Sequence, residues 1–257
     1  MTADPVLLGQ MKLRGFAVVP NVIDGDTVAV MKRELLRAAE DDLAAWEGKD
    51  YPDAWMVHNL MVRHPVFAEF LENPVLHSYL SELLGDTCIL YAYTSSSMPP
   101  SGSNFSNRVH VDSPRVIPGY WTNVGVMVAL DDYTTENGAT RYLPESFERT
   151  DPPTLEEFSA RSEEVLPRAG DAVIFNARTW HMGGRNTTDH ARHAITLNVC
   201  RSYMRQRFDY PRLVGEETLA RVGEVGRRFL GFNVRMPATL DEYYLPEAER
   251  LYKAGQG

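Results

Sequence analysis

Apolar residues in the first third of the chain recur mostly at helical spacing. A short apolar run, Phe16-Ala17-Val18-Val19, reads as a strand ended by Pro20. Val28, Met31, Leu35 and Ala38/Ala39 then repeat at intervals of three and four, with Asp24 or Asp26 placed to cap the helix they define. Pro65 and Pro74 suit the first turns of two short helices. The second carries Val75, Leu76, Tyr79, Leu80, Leu83 and Leu84, and Gly85 stands where a C-terminal cap belongs.

From Cys88 onward the period shortens. β-Branched and aromatic runs separated by Gly, Pro, Asn and Asp predict strands over 88–94, 107–112, 122–130, 139–143, 171–176 and 192–200. Thr154/Glu157 and Thr239/Glu242 have capping-box spacing, predicting helices over 154–160 and near 240–245. Helices, then at least six strands, then helices make an α+β chain whose β centre is a closed or sandwich-like barrel. The expected division is helical support over about 1–86, a barrel core over about 87–203 and a helical segment over about 204–257, all in one domain.

Composition narrows the partners. The 257 residues carry Lys+Arg 26 against Asp+Glu 35, a formal net charge of −9, and no basic cluster that would displace counterions from nucleic acid. Arg201, Arg205 and Arg207 form only a short group interrupted by other residues. No apolar stretch approaches the ~20 residues of a membrane span. Cys88 and Cys200 have no CxxC partner and read as small buried residues in a reducing cytoplasm. The expectation is a cytoplasmic protein, monomeric or homodimeric, acting on a small molecule without nucleic acid or membrane.

The chemistry concentrates in Asn107-Arg108-Val109-His110-Val111-Asp112. On an extended segment, His110 and Asp112 project to one side and Val109 and Val111 to the other. Burying an unpaired imidazole and carboxylate costs several kcal/mol by rough estimate, and a metal ion removes that cost. Of the other histidines, His181 is the best partner: it follows the strand-like Ala172-Val173-Ile174-Phe175 and precedes Gly183-Gly184. Two imidazoles and one carboxylate leave half of a metal's coordination sphere open, as in non-haem Fe(II) oxygenases. An isolated His-x-Asp is common by chance; Arg192 adds the third element. Alternation over 192–199 places Arg192, Thr196 and Asn198 on one face and His193, Ile195, Leu197 and Val199 on the other. A guanidinium inside such a polar cavity grips a carboxylate through two parallel hydrogen bonds. His193 then reads as structural and His190, beside Asp189, as a surface residue.

These motifs resemble the phytanoyl-CoA dioxygenase family of Fe(II)/2-oxoglutarate-dependent oxygenases. The resemblance runs through Gly15–Asp24, His64-Pro65-Val66-Phe67 to Gly85, and Glu136-Asn137-Gly138-Ala139-Thr140-Arg141-Tyr142-Leu143-Pro144. It implies a double-stranded β-helix of jelly-roll or cupin type braced by helices, with Fe(II), 2-oxoglutarate and O2 as cofactors. By the same resemblance the metal triad falls on His110, Asp112 and His181, and the 2-oxoglutarate arginine on Arg192. Asn107 and Thr140 become candidates for further hydrogen bonds to that co-substrate. Related halogenases replace the carboxylate by a small residue, so Asp112 implies hydroxylation or another oxidative C–H transformation with release of succinate and CO2. One departure is visible: where the family often continues Pro-Gly-Ser-His, this chain has Pro144-Glu145-Ser146-Phe147.

For the substrate, the chain offers Trp55, Met56, His58 and Asn59, then Tyr91 and Tyr93, then Arg115, Tyr120 and Trp121; Ser95–Ser103 is a candidate mobile lid. No basic patch fits an acyl-CoA, which favours a small specialised metabolite. Two other readings use the same residues. A zinc-type hydrolase or isomerase would need the triad but not Arg192, and a silent binding barrel would need neither metal nor 2-oxoglutarate.

Overall fold

The computed structural model describes residues 1–45 and 55–256. Helix α1 (Pro5–Arg14), outside the predicted elements, is set by Asp4, whose carboxylate accepts from Val6 N–H at 2.8 Å, and by Gly15 in the left-handed region (φ 92°). It leads into β1 (Phe16–Val19) and α2 (Gly25–Ala45). Asp24 caps α2 by accepting from Thr27 N–H at 2.7 Å, and Val28, Met31, Leu35 and Ala38 are buried as the spacing predicts. Helices α3 (Pro65–Glu69) and α4 (Pro74–Leu84) begin on their prolines, capped by His64 Nδ1 and Asn73 Oδ1.

The strands follow: β2 (Ile89–Ser95), β3 (Asn123–Ala129), β4 (Thr140–Tyr142), then α5 (Leu155–Arg161), β5 (Glu163–Glu164), β6 (Ala172–Asn176), β7 (His181–Gly183) and β8 (Ala194–Cys200). Four short α-helices follow among the described residues: α6 (Tyr210–Leu213), α7 (Glu216–Leu219), α8 (Glu224–Phe229) and α9 (Leu240–Tyr243). Thr154 and Thr239 cap α5 and α9 as expected.

Two wholly antiparallel sheets result, one ordered β1-β6-β3-β8-β2 and the other β5-β4-β7. The larger sheet is covered on both faces, so its strands read as continuous apolar runs. Val124, Val126 and Val128 of β3, with Ile174 and Leu197, pack against Leu35, Phe67 and Leu80 of the helices. The alternate residues Met127, Val173 and Phe175 face Tyr142 of the smaller sheet. The arrangement is an open two-sheet jelly roll; no closed barrel forms among the described residues.

The expected strand over 107–112 is absent. Only His110 makes a ladder-type bridge, exchanging backbone hydrogen bonds with His181 at 3.0 Å each way. Alternation survives without the ladder: Val109 and Val111 pack beside the Leu143/Phe158/Trp180 cluster. The first residues of the expected lid Ser95–Ser103 are bonded to the segment that leads into β8. Ser96 N–H donates to Ala194 at 2.9 Å, Met98 and Arg192 exchange bonds at 2.7 and 3.0 Å, and the Met98 side chain is fully buried.

Candidate metal centre

His181 opens β7 and is nearly buried, while His110 and Asp112 ride on the segment bonded to it. Asp112 N–H and Ser113 N–H both donate to the Ala177 carbonyl, at 2.8 and 3.0 Å, which fixes the turn just after the carboxylate. The ligand atoms of His110, Asp112 and His181 all lie within 4.8 Å of one another. Asp112 Oδ1 stands 3.6 Å from His110 Nε2 and 3.8 Å from His181 Nε2. Metal–ligand bonds of about 2.1 Å place neighbouring donors about 3.0–3.5 Å apart, so both Asp112–histidine separations stand within a few tenths of an ångström of the spacing a shared cation sets.

Both rings are held in the orientation a metal needs. His110 Nδ1 lies 2.7 Å from the Arg108 carbonyl and His181 Nδ1 lies 2.9 Å from the Thr179 carbonyl. A carbonyl only accepts, so each Nδ1 carries the proton and each Nε2 presents its lone pair toward Asp112. Burial, and then the adjacent His181, push the His110 pKa down to about 4 against the pull of the Arg108 carbonyl and Asp112. The ring is therefore neutral, the ligating form. Behind His181, the rings of Tyr142 (5.4 Å) and Phe175 (5.1 Å) leave it little freedom.

The triad opens into a cavity of about 460 Å³ between the sheets. Arg192 lines the same cavity and is 2% exposed. Its guanidinium donates to the Tyr133 hydroxyl and, at 2.9 Å, to the Gly138 carbonyl, and lies 4.0 Å over the Tyr133 ring. Those partners are all neutral, and the buried Nε is left without one. A buried cation so placed is built to receive an anion. Thr140 also lines the cavity, as do Thr196 and Asn198 on the face that alternation assigned them. His193 is buried against Ser97 Oγ at 2.8 Å and His190 is exposed with Asp189, both as read from the chain.

The remaining expectations divide. Asn107 is exposed, donates to Ser103 Oγ at 3.0 Å and lies outside the cavity wall. Tyr91 lines the cavity, but Tyr93 is fully buried in the helix-facing core, edge-on to Phe67. The cause is a β-bulge at Tyr91: the register runs Leu90↔Val199 and then Ala92↔Asn198, which inverts the alternation beyond it. Ala92 and Thr94 thereby take the inward positions that Tyr93 would have had. Met56 reaches the cavity, whereas Trp55 and Arg115 are exposed away from it. His58 bridges to Thr94 and Trp121 packs against Phe147, neither in the cavity wall. Nothing in the local pattern marks Tyr133 as the partner of Arg192, because the two meet only through tertiary folding.

A family model described as phytanoyl-CoA dioxygenase (PhyH) matches residues 11–194, a span that contains the triad and Arg192. The chain belongs to the phytanoyl-CoA dioxygenase family. An uncharacterized protein of Mycobacterium tuberculosis, Rv1501, is 33% identical over 252 residues, covering 95% of this chain and 92% of its own. A 2-aminoethylphosphonate dioxygenase from an uncultured bacterium is 26% identical over 213 residues, 70% of this chain and 80% of the other. Among solved structures, the non-heme monooxygenase ThoJ aligns with TM-score 0.65 at 19% identity over 79% of this chain and 80% of its own. SnoN, a non-heme alpha ketoglutarate dependent epimerase from nogalamycin biosynthesis, aligns with TM-score 0.60 at 21% identity, covering 77% and 84%. The family and its dioxygenase relatives make this chain an oxygenase, and the structural likeness places its fold with those non-heme enzymes.

Glu145, standing where the family often has Gly, adopts φ +61°. Ser146 Oγ still accepts from Trp180 N–H at 2.9 Å, anchoring the residue before His181.

Proposed function

We propose that the protein is an Fe(II)- and 2-oxoglutarate-dependent dioxygenase that oxidises a C–H bond of a small, specialised metabolite in the cytoplasm. The observation that carries this reading is Arg192, a buried guanidinium with only neutral partners, facing the cavity that holds the two-histidine, one-carboxylate triad. A divalent-metal hydrolase has no use for that cation.

His110, Asp112 and His181 would hold the iron on one face. Bound iron with 2-oxoglutarate supplies the oxidising chemistry that activates O2 toward a C–H bond, with succinate and CO2 as co-products. Arg192 would hold the far carboxylate of 2-oxoglutarate. Tyr133, stacked against the guanidinium, holds it in place. Thr140 Oγ1 is available at the same wall; Asn107 would have to leave Ser103 and turn inward to take part. Thr94, Thr196 and Asn198 add neutral hydrogen-bonding groups to the cavity wall. The carboxylate of Asp112 fills the ligand position that a halide would need. Cys88 and Cys200 are free buried thiols, pushed up to about 11 and 12 by burial, which suits a reducing compartment.

The test is succinate formation by purified protein given Fe(II), 2-oxoglutarate and O2. The expected result is succinate dependent on all three and reduced by about 100-fold or more at limiting 2-oxoglutarate in Arg192→Gln, the loss of a buried charged hydrogen-bond pair. Product formation from any substrate with Zn2+ and no 2-oxoglutarate would favour the hydrolase instead.

A further inference from the structure

Arg207 lines the cavity at its mouth, together with Tyr91, Met56 and the exposed Phe105. Its place is set by the fold. The bulge at Tyr91 releases that residue's carbonyl from the β8 ladder, and the carbonyl accepts from Arg207 N–H at 3.0 Å and from Tyr210 hydroxyl at 3.2 Å. One residue earlier, Gln206 Nε2 donates to the Leu90 carbonyl at 2.8 Å. The backbone carrying Arg207 is thus tied to β2 on both sides.

The guanidinium meets no carboxylate among the described residues; Asp209, two residues on, turns to Arg212 at 3.8 Å. Asp112 is the only carboxylate in the described cavity wall. A divalent cation and Arg192 would bring three positive charges, balanced by Asp112 and the 2-oxoglutarate dianion. Among the described residues Arg207 then remains as a positive charge with no carboxylate partner at the mouth, in a chain of net charge −9. Met56, Tyr91 and Phe105 around it supply apolar contact.

We infer that Arg207 recognises an oxyanion, of the carboxylate class, on a substrate whose apolar body passes Met56, Tyr91 and Phe105 toward the triad. The inference rests on the dioxygenase reading above and names its substrate class. A guanidinium fork reads such a group bidentately and rejects the neutral amide.

The experiment titrates protein saturated anaerobically with Fe(II) and 2-oxoglutarate with matched monoacid/carboxamide pairs of six to ten carbons, following affinity by calorimetry. The acid is expected to bind about tenfold more tightly than its amide. Arg207→Gln is expected to abolish that preference and Arg207→Lys to keep most of it. Equal affinity of acid and amide in the wild type, no binding by any pair, or a preference that survives in Arg207→Gln would overturn the inference. The visible band of the iron chelate, recorded on the same samples, reports the dioxygenase reading separately. Its absence would overturn that reading and the inference with it; where it forms, the acid–amide comparison alone decides the inference.

Discussion

Gly125 ties the packing of the large sheet to the metal centre, and adding one methyl group there tests the link. Gly125 and Phe175 are register partners on β3 and β6, and the Phe175 ring lies across the glycine. A Cβ at position 125 would stand 2.2 Å from Phe175 Cζ, with Cε1 and Cε2 at 2.5 and 2.6 Å. Cζ lies on the χ2 axis, so flipping the ring does not relieve the contact. To regain a carbon contact of about 3.5 Å the ring must retreat by about 1.3 Å. Its neighbours, Tyr142 at 5.2 Å and His181 at 5.1 Å, block the retreat. Overpacking of this kind costs about 1–3 kcal/mol, or roughly 2–4 °C in Tm per kcal/mol at this size. Displacing His181 should weaken metal binding by about 10–100-fold, as changes to a ligand's supporting contacts do. Differential scanning calorimetry and Fe(II) titration of Gly125→Ala measure both, and Gly125→Ala/Phe175→Leu should recover much of each. A Gly125→Ala protein with unchanged Tm and unchanged metal affinity would refute the coupling.

Three further outcomes follow. Glu145→Gly should raise stability by roughly 0.5–1.5 kcal/mol, because it relieves a left-handed backbone that costs an L-residue about that much; no gain in urea midpoint would count against strain at this turn. Asn107→Ala should change the affinity for 2-oxoglutarate by less than about twofold, since its side chain bonds an exposed serine, with a charged-pair contact expected to cost far more; a tenfold loss would put Asn107 in the site after all. His77 and His193 are both shifted below 6.5, chiefly by burial, so the unfolded chain binds more protons than the native one. Their contribution is complete above pH 6.5 and is lost as pH falls toward the lowered native values. The urea midpoint should therefore drop between pH 7.5 and 5, with a shallower slope in His77→Gln/His193→Gln; an equal slope in both proteins would contradict this assignment.

What could be read from the chain was whatever local periodicity and caps determine. The helix over Val28–Ala38, the proline-started helices, and the inward set Arg192, Thr196 and Asn198 follow from spacing alone. His110 and Asp112 share a side because the segment is extended, although the strand expected there has no partner beyond one bridge to His181. The place of Tyr93 is not legible in the chain because one bulge at Tyr91 inverts the side chains that follow it on β2, and no local residue pattern announces it. Arg207 reads from the chain only as part of a short basic group, because its anchor, the Tyr91 carbonyl on β2, lies 116 residues away in sequence. Tyr133 escaped for the same kind of reason, being brought to Arg192 only by the fold.

The most direct measurement is an anaerobic titration of the metal-free protein with Fe(II) and 2-oxoglutarate, watched in the visible region. A weak charge-transfer absorption should grow to a single equivalent of each and vanish in Asp112→Ala and His181→Ala variants that keep the wild-type circular dichroism. Folded wild-type protein that develops no such absorption, or an Asp112→Ala/His181→Ala double variant that develops it undiminished, would contradict a metal centre built from His110, Asp112 and His181.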